Sequence, residues 1–117
     1  MKNLAISLTL MLSILTVYSQ HYHISKTEYY DAEGNIESII EREPGGLTII
    51  EYEDGSFKLK LEGSSNITYT KGSVVEKENH KVYYVSSPAS ERYKFTIAEE
   101  YIYIEPLNGG HAVKHYR

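Results

Sequence analysis

Two alternating apolar runs that meet at Asp54-Gly55 constrain this chain more than any other feature. A β-hairpin closed by two residues needs positive φ at both of them, and Asp-Gly meets that need cheaply. Centring the turn there predicts Glu53 opposite Ser56, Tyr52 opposite Phe57, Glu51 opposite Lys58, Ile50 opposite Leu59 and Thr48 opposite Leu61. One face then collects Thr48, Ile50, Tyr52, Phe57, Leu59 and Leu61, while the other sets Glu51 against Lys58. A slip of one residue would turn one strand's apolar set to the opposite side, so this register makes a sharp expectation.

The rest of the chain past residue 20 follows the same period of two, with Gly, Pro and Asn as punctuation and no helical period. Strands are predicted at about 22–30, 36–42, 47–53, 56–62, 67–70, 74–78, 81–86, 92–98, 101–105 and 111–116. A second hairpin centred on Glu99-Glu100 sets Ile97 against Ile102, Phe95 against Ile104, Thr96 against Tyr103 and Lys94 against Glu105. The faces sort well, although Glu-Glu is poor chemistry for a primed turn. Short connections favour neighbours in sequence as neighbours in space. The expected fold is all-β: an antiparallel meander of about eight to ten short strands, curled into a small barrel or split into a two-layer sandwich.

Residues 1–19 read as a signal peptide rather than as part of that fold. Lys2 supplies a positive start, and residues 4–17 form an uncharged apolar run, short for a membrane helix. Val17 and Ser19 suit the small-residue positions of a cleavage site, placing the cut before Gln20. The segment is similar to bacterial signal peptides. A single domain at 20–117 is then expected, secreted or periplasmic, with no membrane attachment after cleavage.

Composition excludes several functions. Cys is absent, so neither a disulfide framework nor a thiolate zinc site can exist. The whole chain carries a net charge of −4, with the acids dispersed and no basic face, which argues against nucleic acid as a partner. There are 12 Tyr against 2 Phe and no Trp. Tyr fits strands and tolerates half-exposure, because an apolar ring carries a polar tip.

The turns share a pattern. Tyr52-Glu53-Asp54-Gly55-Ser56-Phe57 matches Tyr69-Thr70-Lys71-Gly72-Ser73-Val74, and Tyr30 to Ile36 fits with one extra residue. This resembles the Tyr-and-Gly hairpin repeats of MORN-type and YD-type arrays, over less than half of residues 20–117. The plainer reading is a preferred hairpin grammar.

Candidate chemistry is sparse. His21 with His23, and His111 with His115, would share strand faces and could offer imidazole nitrogens to a metal; solvated terminal histidines are the plainer expectation. Glu51 and Glu53 read as a solvated face rather than a glycosidase pair. No nucleophile motif and no phosphate loop occurs. No enzyme activity and no cofactor is expected. The stretch Ser87 to Tyr93 resembles the loop with which small secreted inhibitors of C-type lysozymes enter the enzyme cleft; the resemblance implies contact roles for Ser90 and Tyr93 alone, and Glu91 stands where that family has Gly. Tyr29-Tyr30, Tyr83-Tyr84 and Tyr101/Tyr103 should each place a ring on an exposed face, making Tyr30, Tyr83 and Tyr103 candidates for contact. The expected function is non-catalytic binding of an extracytoplasmic protein, a glycan or a small apolar ligand. Hydrolase inhibition through 86–93 and metal chemistry at the His pairs are the alternatives.

Overall fold

A computed structural model describes residues 19–64 and 66–117; the leader segment, apart from Ser19, lies outside them. The described residues contain no helix. They form β1 (Ser19–His23), β2 (Lys26–Tyr30), β3 (Ile36–Glu41), β4 (Leu47–Tyr52), β5 (Phe57–Leu61), β6 (Ile67–Glu76), β7 (His80–Ser86), β8 (Arg92–Ala98), β9 (Tyr101–Pro106) and β10 (Val113–Tyr116). All pair antiparallel in one sheet of order β1-β4-β5-β6-β7-β8-β9-β10-β2-β3, curled into a half-barrel.

From β4 to β10 the chain is the expected meander. The first three strands depart from it. The single strand expected at 22–30 breaks at Ile24-Ser25, where the backbone changes partners. Ile24 N–H donates to the Leu47 carbonyl at 3.1 Å, and Ser25 N–H donates to the Tyr116 carbonyl at 2.8 Å. β1 therefore lies on β4, whereas β2 lies between β10 and β3. One chain segment thus ties the two ends of the sheet together.

The opposite correction applies to 67–70 and 74–78, which form one strand. Lys71 pairs with Val85 and Ser73 with Tyr84, leaving Gly72 as the extra residue of a bulge. A bulge bends a strand without ending it. β6 uses that bend to serve β5 before it and β7 after it. A Cβ at Gly72 would stand 2.7 Å from the Tyr84 carbonyl oxygen, so the close approach needs Gly. The Tyr69 copy of the turn pattern is therefore not a hairpin turn, and the repeat does not extend to it.

The first hairpin is also corrected, by one residue. Glu51 pairs with Phe57, Ile50 with Lys58, Ile49 with Leu59, Thr48 with Lys60 and Leu47 with Leu61. Tyr52 and Phe57 are not partners. The loop has three residues, not two: Gly55 N–H donates to the Tyr52 carbonyl and Tyr52 N–H to the Ser56 carbonyl, both at 2.9 Å. Gly55 alone takes positive φ, at 85°. This is the three-residue connection with glycine at the left-handed position. The slip exchanges the faces of β4. Leu47 and Ile49 turn inward with Phe57, and Glu51 turns inward with them.

The second hairpin has the predicted register: Ile97 with Ile102, Thr96 with Tyr103, Phe95 with Ile104 and Lys94 with Glu105. Its Glu99-Glu100 turn has no positive φ. Arg117 supports it from outside, donating from Nη1 to the carbonyls of Glu99 at 2.7 Å and Ala98 at 3.2 Å.

Phe57 and Phe95 are fully buried at the centre of the core, 5.0 Å apart between ring centroids, with Tyr83 and Tyr69 each 4.9 Å from one of them. Such aromatic pairs add about 0.5–1.5 kcal/mol each beyond burial. Ile49, Val85, Ile97, Ile102 and Ile104 complete that core. β3 forms one edge of the sheet and is exposed along its length.

Candidate functional site

A half-barrel leaves part of its interior uncovered. Here the open part is a cleft of about 520 Å³. Leu59 and Leu61 on β5, with Ile67 and Tyr69 on β6, form one wall. Ile104 on β9 and Val113 on β10 face them, Tyr93 adds its ring from β8, and Leu47 contributes from β4. The volume falls within the roughly 300–1,000 Å³ of small-molecule pockets. The lining is mostly apolar because each strand gives every second side chain to the concave side.

Four polar side chains at the cleft form one connected set. Thr27 and Tyr29 share the inner face of β2, His115 comes from β10, and Arg42 follows β3. Arg42 Nε donates to Thr27 Oγ1 at 3.1 Å, and Arg42 Nη2 donates to the Tyr29 hydroxyl at 3.2 Å. Thr27 Oγ1 lies 3.0 Å from His115 Nδ1. Thr27 and His115 are both buried. Burial, and then the nearby Arg42 charge, push the His115 imidazole down from 6.5 to about 4, so it is neutral at neutral pH.

Thr27 Oγ1 accepts from Arg42, and its own hydrogen needs an acceptor in a fully buried site. With His115 neutral, a bond donated by Thr27 Oγ1 to Nδ1 gives that hydrogen a partner, and in this assignment the imidazole proton is on Nε2. Nε2 has no hydrogen-bond partner among the described residues, and His115 is one of the residues that line the cleft. Tyr29 accepts from Arg42 and keeps its own proton to donate. This end of the cleft is thus a set of donors.

The residues singled out by sequence fall in separate places. Tyr30 and Tyr103 meet on the convex face, edge to face at 6.0 Å. Glu28 there accepts from the hydroxyls of Tyr30 at 2.6 Å and Tyr116 at 2.7 Å, which hold its carboxyl below the ordinary range. Tyr83 lies on the opposite face, inside the core. Ser90 sits at the tip of a turn with φ 65°, and Tyr93 donates to Glu91 at 2.8 Å while its ring enters the cleft. Hydrogen bonding to Glu91 and burial push the Tyr93 hydroxyl up to about 12. His21 and His23 lie on the outer side of β1, whereas His111 sits on the cleft rim with Glu37 at 3.3 Å and His115 is buried. No three His, Asp or Glu side chains among the described residues gather as a metal site.

Sequence reasoning missed Arg42, Thr27 and Tyr29. A signal for the last two was present: Thr27 and Tyr29 share a strand face. What brings these three together with His115 is a strand pairing between distant parts of the chain, which no local pattern shows. Comparison with family models, with curated proteins and with solved structures finds no match to this chain in any of the three.

Proposed function

We propose that this protein is a secreted or periplasmic, non-catalytic module that holds a small apolar ligand in the open end of its half-barrel. The cleft carries this reading: about 520 Å³, walled by Leu47, Leu59, Leu61, Ile67 and Ile104, with a connected polar set around Arg42. Concave apolar sites with a few convergent polar groups are where small molecules bind. The export part of the reading rests on the pattern of Lys2 and residues 4–17. The Tyr30–Tyr103 face supports a partner surface less well, because the Tyr30 hydroxyl is already held by Glu28.

A neutral solvatochromic dye such as Nile red tests the reading. The expected result is saturable fluorescence enhancement at one dye per chain, reversed by decanol. Ile67→Asp places a charge on an exposed part of the wall and should abolish the enhancement without unfolding the protein. Unchanged dye binding by that variant would move the site elsewhere.

A further inference from the structure

We infer that the ligand is an amphiphile with an anionic oxygen head group of carboxylate type, seated on Arg42 with Tyr29 and His115 beside it. The inference rests on the small-ligand reading of the cleft and adds the chemistry of its polar end.

The first ground is an uncompensated charge. Arg42 is half-buried at the edge of an apolar cleft. Among the described residues its side-chain hydrogen bonds go to a hydroxyl at each of two nitrogens, Thr27 Oγ1 and Tyr29 Oη. Among the described residues no carboxylate stands within 4.0 Å of it, and the rim carboxylate of Glu37 is turned to His111. A guanidinium beside apolar walls is unfavourable without a counter-charge. It also has five N–H donors, of which two are engaged here.

The second ground is the donor character of two neighbouring groups, Tyr29 and His115. The Tyr29 hydroxyl accepts from Arg42 and keeps its hydrogen to donate, and His115 in the assigned tautomer adds Nε2–H. A cationic head would meet donors only. A neutral hydroxyl head would leave the guanidinium charge unanswered. A carboxylate accepts at both oxygens, matches the planar fork of a guanidinium and carries the single charge that one Arg balances. The hydroxyls of Thr27 and Tyr29 hold the guanidinium at Nε and Nη2, so Arg42 is already ordered before a ligand arrives.

Competition of decanoate, decanol and decyltrimethylammonium against bound Nile red tests this. In the wild-type protein decanoate should displace the dye at least about tenfold more effectively than decanol, and the ammonium least well, an ordering that one guanidinium contact is large enough to produce. Arg42→Gln should bring decanoate to the level of decanol while decanol itself is unchanged. Tyr29→Phe removes a single hydroxyl and tests the same head site should Arg42→Gln not fold; it should reduce the decanoate preference several-fold. Equal competition by decanoate and decanol in the wild-type protein overturns the head-group assignment and leaves the apolar cleft standing. Failure of all three compounds and of the dye overturns both.

Discussion

Glu51 on β4 and Tyr83 on β7 meet across the interior of the half-barrel, with the Tyr83 hydroxyl 2.5 Å from Glu51 Oε2 and two strands between theirs in the sheet order. Tyr22 completes the arrangement by donating to Oε1 at 2.7 Å. Both tyrosines are buried, and burial first, then the bond to Glu51, raises each hydroxyl above its ordinary value. A residue expected on a wet face is therefore the acceptor that satisfies two core hydroxyls.

Replacing Glu51 measures that role. Glu51→Ala leaves two buried hydroxyls without an acceptor and should cost roughly 2–4 kcal/mol. Glu51→Gln keeps one acceptor oxygen and should cost less. Urea unfolding at neutral pH checks both. A solvated-face residue would change stability by no more than about 0.5 kcal/mol, so a value that small for Glu51→Ala would contradict the observed register.

Gly72 and Gly34 separate two reasons for glycine. At Gly34 φ is +88° and nothing lies within 4 Å of an added Cβ, so Gly34→Ala carries backbone strain alone, about 1 kcal/mol. At Gly72 the obstacle is the Tyr84 carbonyl oxygen at 2.7 Å, and the strand must shift, at about 1–3 kcal/mol. Thermal midpoints of the two variants should rank Gly72→Ala as the more damaged. The reverse order would mean that β6 does not bulge at this point.

Stability should fall as pH drops, beginning above the carboxylate range. His115 titrates near 4 in the folded protein and near 6.5 when unfolded, so the unfolded chain binds the extra proton between those values. The contribution is complete above about pH 6.5, declines towards pH 4 and levels off below it, with a total on the order of 3 kcal/mol. Denaturant melts at pH 7, 5.5 and 4 should follow that course, and the His115 ring resonances should stay those of neutral imidazole through about pH 5. Titration of that ring near 6.5 in the folded protein would remove the basis of the prediction.

Removing the Arg117 side chain should loosen one turn rather than the core. Arg117→Ala withdraws donors from the Ala98 and Glu99 carbonyls and a cation 4.6 Å from the centre of the Tyr22 ring. These groups are exposed enough to be rehydrated, so the expected loss is roughly 1 kcal/mol. Amide exchange should quicken at residues 99–102 and stay slow at Phe95.

Period-two patterning carried the strands and the all-β class, and its failures have physical causes. The Phe95–Ile104 register was legible because β8 and β9 are apolar on one side only. The register of β4 was not. Ile49 and Ile50 are adjacent, so either face of that strand looks apolar, and Asp54-Gly55 serves a three-residue loop as readily as a two-residue one. Gly72 looked like a turn because Gly-Ser reads as punctuation, whereas a bulge uses glycine for a close backbone approach. The polar end of the cleft was out of reach: Thr27 and His115 are 88 positions apart and meet through a pairing that alternation does not specify.

The segment that ties the two ends of the sheet has a consequence for the order of events in folding. β2 cannot complete its pairing until β10 exists, and β10 follows the other described strands of the sheet in sequence. The early part of the chain must wait, extended and unpaired on that side, while β4 to β9 assemble by short-range closure. Closing so long a loop is slow, and it comes after the local hairpins that need little entropy. A chain cut short before Val113 would lack His115 and with it part of the connected polar set at the cleft, and β2 would keep β3 as its one strand partner.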